Sequence, residues 1–168
     1  EYYVNDTGRQ MNIFALSVLI KILNLKGASL ALPRVSYQGT YLEQIAKETQ
    51  NSIDVNFDNL LKHKNLRDSY TSCSADEEID KLIADFQNQL GIESFERFTA
   101  SVSSLMVTVI KKDLEEFGVV YNNWFSEREM INKGLIQKSI KQLNKNNLTY
   151  KKDGALWLKT INFGDDKD

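Results

Sequence analysis

Few residues in this chain have the types and spacing that do chemistry. His63 is the only histidine and Cys73 the only cysteine. A lone thiol and a lone imidazole, well apart in sequence, make a poor nucleophile–base pair. One cysteine cannot build a zinc site of several thiolates. No glycine-rich phosphate fingerprint, Walker loop or HExxH zinc motif occurs. What remains is a short polar cluster near the start, Asn5, Asp6, Gly8 and Gln10. It can donate and accept hydrogen bonds, and Gly8 allows close backbone approach. Asp6 and Thr7 equally suit plain helix capping. Further along, Lys138, Lys141 and Lys145 recur at spacings of three and four, with Lys151 and Lys152 close behind. Clustered cations of this kind can contact phosphates, although they also make an ordinary solvated face. Trp124, Phe125, Tyr150 and Trp157 offer aromatic surface, read here as packing at junctions and a hairpin. Glu127 and Glu129 fit the first turn of a helix better than a catalytic pair. Asp165, Asp166 and Asp168 are carboxylates in a loop, weak grounds for a Mg²⁺ site.

The elements that must position these groups follow from periodicity. Tyr2, Tyr3 and Val4 read as a strand, and Asp6-Thr7-Gly8 as a tight loop. Met11, Phe14, Ala15, Val18, Ile22 and Leu25 then recur at helical spacing, giving one broad apolar face, with Gly27 as the stop. A strand-loop-helix junction lies at the carboxyl end of its strand, where open α/β sheets bind ligands. Residues 28–38 hold the only proline, Pro33, and read as a connection. Thr40 is expected to cap a helix bearing Tyr41, Leu42, Ile45 and Ala46, with Glu43 and Lys47 as an i,i+4 pair. A short helix is expected near Asp58, and polar loop over 69–73. Ser74 and Glu77 form a capping box. The helix they open carries Ile79, Leu82, Ile83, Phe86 and Leu90, and Gly91 ends it. The longest helix, about 94–117, shows a continuous stripe from Phe98 through Val102, Met106, Val109 and Ile110 to Phe117. Residues 119–121 are short and extended. Ser126 and Glu129 form a second capping box, Gly134 interrupts, and Ile136, Ile140 and Leu143 mark another helix. Lys151-Lys152-Asp153-Gly154 is the turn of a β-hairpin. Each helix has one stripe to bury, so a small bundle is expected.

Composition narrows the function classes. The 168 residues suit one domain, or one plus a piece of another. Net charge is −2, not the basic balance of a free-standing nucleic-acid binder, so any RNA contact must come from a local patch. A single cysteine fits a reducing compartment. No apolar run is long enough for a membrane span. The chain opens at Glu1 inside a strand and ends in a charged loop, and we expect an internal fragment of a longer protein.

A family resemblance rests on stretches that recur in order. They are Tyr2-Tyr3-Val4-Asn5-Asp6-Thr7-Gly8-Arg9-Gln10-Met11 and Tyr37-Gln38-Gly39-Thr40-Tyr41-Leu42, then Phe117-Gly118-Val119 with Trp124-Phe125-Ser126-Glu127. Asp153-Gly154-Ala155-Leu156-Trp157-Leu158-Lys159-Thr160 and Phe163-Gly164-Asp165-Asp166-Lys167-Asp168 follow. The first resembles the strand and loop after the HIGH-type motif of bacterial arginyl-tRNA synthetases, class I enzymes, and the others match the same family. Residues 50–72 carry no match.

The resemblance implies an α+β, predominantly helical fold. Residues 1–27 would be one strand-helix unit of a Rossmann-like nucleotide-binding domain, and 28–168 a helical-bundle insertion with a small β-hairpin. It also implies a cytoplasmic parent ligase that uses ATP, Mg²⁺, arginine and tRNA(Arg). Asn5, Asp6, Gly8 and Gln10 would then lie beside the substrate, and the five lysines could touch tRNA. A single histidine cannot supply the HIGH-type motif, and no Lys-Met-Ser run supplies the KMSK-type motif. No catalytic residue is therefore expected in this chain, and the fragment alone is expected to be inactive. The alternative is a non-catalytic helical module that binds RNA or protein. A strand deprived of parallel neighbours is expected to be disordered, to self-associate with a second copy, or to attach to the hairpin.

Overall fold

The structure is a computed structural model that describes residues 1–53, 55–61 and 74–167. It is mostly helical, with four short strands among the described residues. The chain forms two compact units, Glu1–Trp124 and Phe125–Asp168.

The first unit is built around one helix. β1 (Tyr2–Val4) leads through a three-residue connection into α1 (Gly8–Leu25). Every residue from Ile13 to Ile20 is buried, as are Ile22 and Leu23. The expectation of a single apolar face was too narrow. Ile13, Leu16, Leu19, Ile20 and Leu23 make a second apolar side, and a helix apolar all round must be enclosed. Leu25, assigned to the core from spacing, is instead exposed. The enclosing helices are α2 (Tyr41–Ser52), α3 (Phe57–Leu61), α4 (Ala75–Leu90) and α5 (Ile92–Glu116). They contribute Leu42, Ile45, Phe57, Leu60, Ile79, Phe86, Phe95, Phe98 and Val102 to one core.

The connection from α1 to α2 has no regular structure, so its backbone groups need side-chain partners. Ser17 is buried within α1. Its hydroxyl donates to the Ile13 carbonyl at 2.7 Å and accepts from the Tyr37 amide at 3.1 Å. Asn24 grips Leu30 twice, accepting from its amide and donating to its carbonyl, both at 2.9 Å. At Gly39 a Cβ atom would lie 2.0 Å from the Tyr41 ring. The glycine in this stretch is therefore required by close approach rather than by backbone dihedral.

Helix ends follow the sequence in part. Ser74 and Glu77 form the expected reciprocal capping box at α4, and Gly91 stops that helix with φ of 82°. Thr40 occupies the N-cap position of α2 but makes no side-chain cap, because its own dihedrals are already helical. The Glu43 carboxylate meets Lys21 of α1 at 3.5 Å, an ion pair between helices. α5 departs more. Its buried residues are Phe95, Phe98, Thr99, Val102 and Ser103, and Phe117 is 84% exposed. At about 1.5 Å per residue α5 outruns α2 and α4, so its second half extends past the core they form. The extended segment after α5 is β2 (Trp124–Ser126), later than the expected 119–121.

β1 finds its partner within the chain. The Tyr2 amide donates to the Asn123 carbonyl at 2.9 Å, and the Tyr2 ring stacks on Trp124 with centroids 4.5 Å apart. Asn123 also donates from its side chain to the Glu1 carboxylate at 2.9 Å. Residues leading into β2 thus supply what the hairpin or a second copy was expected to supply. The expectation failed because the pairing joins positions some 120 apart, and no local pattern encodes such a partner.

The second unit holds α6 (Glu127–Asn132), α7 (Leu135–Lys145), the hairpin β3 (Thr149–Lys152) with β4 (Ala155–Leu158), and a 3-10 turn at Thr160–Phe163. Ser126 caps α6 by accepting from the Glu129 amide at 3.0 Å. Asp153 and Gly154 both have positive φ, 51° and 76°, the primed turn that matches strand twist. None of the described side chains in this unit is buried.

Two buried hydroxyls give opposite expectations. Ser17→Ala removes the acceptor for the Tyr37 amide and should cost about 1–2 kcal/mol. Thr49 is buried, and its hydroxyl has no partner among the described residues. Thr49→Val should therefore leave stability unchanged or raise it by up to about 1 kcal/mol. Urea unfolding of both variants reads the signs directly. Gly39→Ala forces the Tyr41 ring aside and should cost about 1–3 kcal/mol, part of which Tyr41→Leu in the same chain should recover.

Candidate functional site

The candidate loop runs from the end of β1 into the first turn of α1. Asn5, Gly8 and Gln10 are exposed, and Asp6 is half-buried. Gly8 opens α1 with φ of 75°, and nothing lies within 4 Å of where its Cβ would sit. The glycine is thus set by conformation, not by crowding. Thr7 stands at the N-cap with extended dihedrals yet makes no side-chain cap, and the first turn of α1 holds no acidic residue. Thr7 therefore caps nothing with its side chain, while Asp6 has contacts of its own. The helix start presents its positive dipole end to the loop.

Both sides of the loop are anchored. On the strand side, Tyr2 and Tyr121 meet Trp124, the latter edge-on at 5.9 Å, and the Lys111 ammonium sits 4.7 Å from the Trp124 ring centre. Trp124 is thus a packing residue at a junction. On the helix side, Arg9 Nε donates to Asp80 Oδ1 at 2.8 Å, and Arg9 Nη2 donates to Asp76 Oδ1 at 2.8 Å. Hydrogen bonds to Asp80 and then Asp76 raise the Arg9 pKa above its ordinary value. Sequence reading passed over Arg9, because an arginine in a first helical turn looks like a surface residue. The signal that could have exposed it was the acidic start of α4, where Asp76 and Asp80 stand one turn apart.

The lysines are placed separately, in the second unit. Lys138, Lys141 and Lys145 are exposed along α7, on the side away from Ile136, Ile140 and Leu143 by helical spacing. The hairpin register pairs Lys151 with Leu156 and Lys152 with Ala155. Neighbours along a strand point to opposite faces, so Lys151 and Lys152 do not share one. Tyr150 lies opposite Trp157 with rings stacked at 6.5 Å, and the Trp157 indole donates to the Lys152 carbonyl at 3.2 Å. Residues 125–168 carry nine lysines and arginines against six aspartates and glutamates. The local charge is basic although the whole chain is slightly acidic.

Glu127 and Glu129 occupy the first turn of α6, where the helix dipole favours them. No three His, Cys, Asp or Glu side chains converge to hold a metal among the described residues. Asp165 and Asp166 belong to no such group among the described residues. No described helix is long and apolar enough to cross a membrane. His63 and Cys73 lie outside the described residues, as does the loop expected over 69–73.

Comparison with known proteins bears on what this arrangement serves. No protein-family model matches the chain. Arginine–tRNA ligases do match it over its entire length. That of Legionella pneumophila (strain Corby) is 38% identical over 171 residues, and that of Coxiella burnetii (strain CbuG_Q212) 39% over 172. The arginine–tRNA ligase of Vesicomyosocius okutanii is 37% identical over 171 residues. In each case the chain spans 29% of the relative's length. Among solved structures, a Campylobacter jejuni protein assigned as an arginyl-tRNA synthetase superposes with a TM-score of 0.62 at 22% identity. The match covers 99% of this chain and 30% of that one, and it speaks to fold alone. Identity of 37–39% over the whole of this chain places it in the arginine–tRNA ligase family.

Proposed function

We propose that this chain is the part of an arginine–tRNA ligase that joins the nucleotide-binding domain to its helical insertion. The observation carrying the proposal is the similarity, at 37–39% identity over the whole of this chain, to proteins of that name, of whose length it spans 29%. The whole ligase activates arginine with ATP and Mg²⁺ and transfers it to tRNA(Arg) in the cytoplasm. β1 and α1 are then a strand-helix unit of a Rossmann-like domain, covering residues 1–27, and 28–168 are the insertion with its hairpin. α1 shares one core with α2 to α5, so that boundary does not coincide with a break in packing.

In this reading the loop residues Asn5, Asp6, Gly8 and Gln10 line the substrate side of the junction. Exposed amide side chains there can hydrogen-bond arginine or a neighbouring loop, and the start of α1 favours a negatively charged group. The paired histidines of the HIGH-type motif and the KMSK-type lysine are not in this sequence. Activation therefore needs residues from elsewhere in the ligase. A binding module without catalysis remains the competing class, favoured only by the basic second unit.

Arginine-dependent pyrophosphate exchange separates the two. The 168-residue chain alone should show none, whereas the whole ligase should show it. In the whole ligase, Asn5→Ala and Gln10→Ala should each lower kcat/KM for arginine by about tenfold, the loss of one hydrogen bond to a charged group. Unchanged kinetics in both variants would mark the loop as scaffold.

For the lysines, tRNA(Arg) binding by the whole ligase should weaken on Lys138→Glu and Lys141→Glu, and the salt dependence should become shallower by about one charge per residue. Binding and salt slope both unaltered would assign α7 to solvent.

A further inference from the structure

Arg9 is not explained by stability. A cation in the first turn of α1 sits at the wrong end of the helix dipole. Its partners are 67 and 71 positions away, on α4, so local helix pairing does not account for it either. The geometry is specific. Nε takes Asp80 and Nη2 takes Asp76, both at 2.8 Å, and Nη2 also reaches the Asp76 carbonyl at 3.4 Å. Two bonds in different directions fix the plane of the guanidinium, which a lysine ammonium cannot reproduce. All three side chains are 43–71% exposed, where ion pairs add little to global stability. A contact so exact in geometry and so modest in stability acts on local position. What it positions is the residue next to Gly8 and Gln10.

We propose that Arg9 is a positioning residue of the ligase. By tying the β1–α1 loop to Asp76 and Asp80, it lets the helical insertion set the loop geometry in which arginine is activated. The proposal rests on the reading of that loop as substrate-adjacent. Loop and α4 are then a single mechanical unit, and the insertion contributes to activation without touching substrate. Displacements of about 1 Å at a reacting site suffice to cost up to about a hundredfold in rate.

The test uses the whole ligase and the pyrophosphate-exchange assay, with melting temperature recorded for every variant. Arg9→Gln should lower kcat/KM for arginine by about tenfold, within the range for a displaced site, with Tm moved by less than about 2 °C, as for an exposed pair. Arg9→Lys should not restore it. The Asp76→Asn/Asp80→Asn double variant should reproduce the loss, and adding Arg9→Gln to it should cause no further loss, the non-additivity of a shared interaction. Full activity in Arg9→Gln overturns the proposal. So does a loss in Arg9→Gln that the double aspartate variant does not share, since Arg9 would then act on substrate directly. Additive losses overturn it as well. Asn5→Ala and Gln10→Ala in the same assay keep the two readings apart. If both are silent, the loop reading fails, and if they lose activity while Arg9→Gln does not, only the positioning role fails.

Discussion

The enclosure of α1 is the constraint on which the first unit depends. Eight consecutive buried residues leave that helix no solvent side over its middle. Fully burying a single large apolar side chain is worth about 1.5–3 kcal/mol, so exposing any side of α1 is costly. Four other helices are therefore obliged to surround it, and their arrangement is largely a response to it. The cost of such burial is polar groups that must be satisfied inside. Ser17 shows the solution: its hydroxyl serves the helix through Ile13 and the connection through Tyr37. α1 is thus held by packing on every side over its middle, and the loop that precedes it joins that helix through its first turn.

How much of this was legible in the sequence depends on whether the signal was local. The capping box at Ser74 and the stop at Gly91 are local chemistry, and each forms as read. The hairpin also forms, but its turn is Asp153-Gly154 alone, and Lys151 and Lys152, read as turn residues, end β3. The strand, loop and helix at the start were likewise visible as a change of period. The second apolar side of α1 was written in plain residues, but a search for one face at helical spacing finds one face. α5 misled for a different reason. Its stripe is real, yet periodicity does not report how long the neighbouring helices are. The partner of β1 was out of reach, since strand pairing between distant segments leaves no mark on either alone. Thr40 misled by type: a threonine at a helix start caps only if its backbone is extended, and here it is not.

The candidate site was legible as a place before it was legible as a function. Asn5, Asp6, Gly8 and Gln10 are the residue types of a tight connection and equally of a substrate loop. Nothing local in the sequence chooses between them, and only the family resemblance points to the second. The structure adds what neither contains. The N-cap residue makes no cap, and the first turn carries Arg9 where an acidic residue would be favoured. Departures from local preference tend to gather where function overrides stability. The lysines illustrate the reverse. α7 places three of them on one exposed side as spacing foretold, while the hairpin register sends Lys151 and Lys152 to opposite faces, a separation that adjacency in sequence conceals.

The two units also differ in what holds them. Glu1–Trp124 has a core, whereas the unit Phe125–Asp168 buries no described side chain and leaves Ile140, Leu156, Ile161 and Phe163 exposed. A segment of this size is near the lower limit at which a chain supports its own core. Its order rests on local devices: the Ser126 cap, the primed turn, and the Tyr150–Trp157 stack. Such devices contribute about 0.5–2 kcal/mol apiece. The loop around Gly8, by contrast, is attached to the most completely buried helix among the described residues. Geometry held to a fraction of an ångström needs a packed support, and of the two units only Glu1–Trp124 has buried side chains among the described residues. The basic second unit is better suited to a contact that tolerates adjustment, as phosphate contacts do.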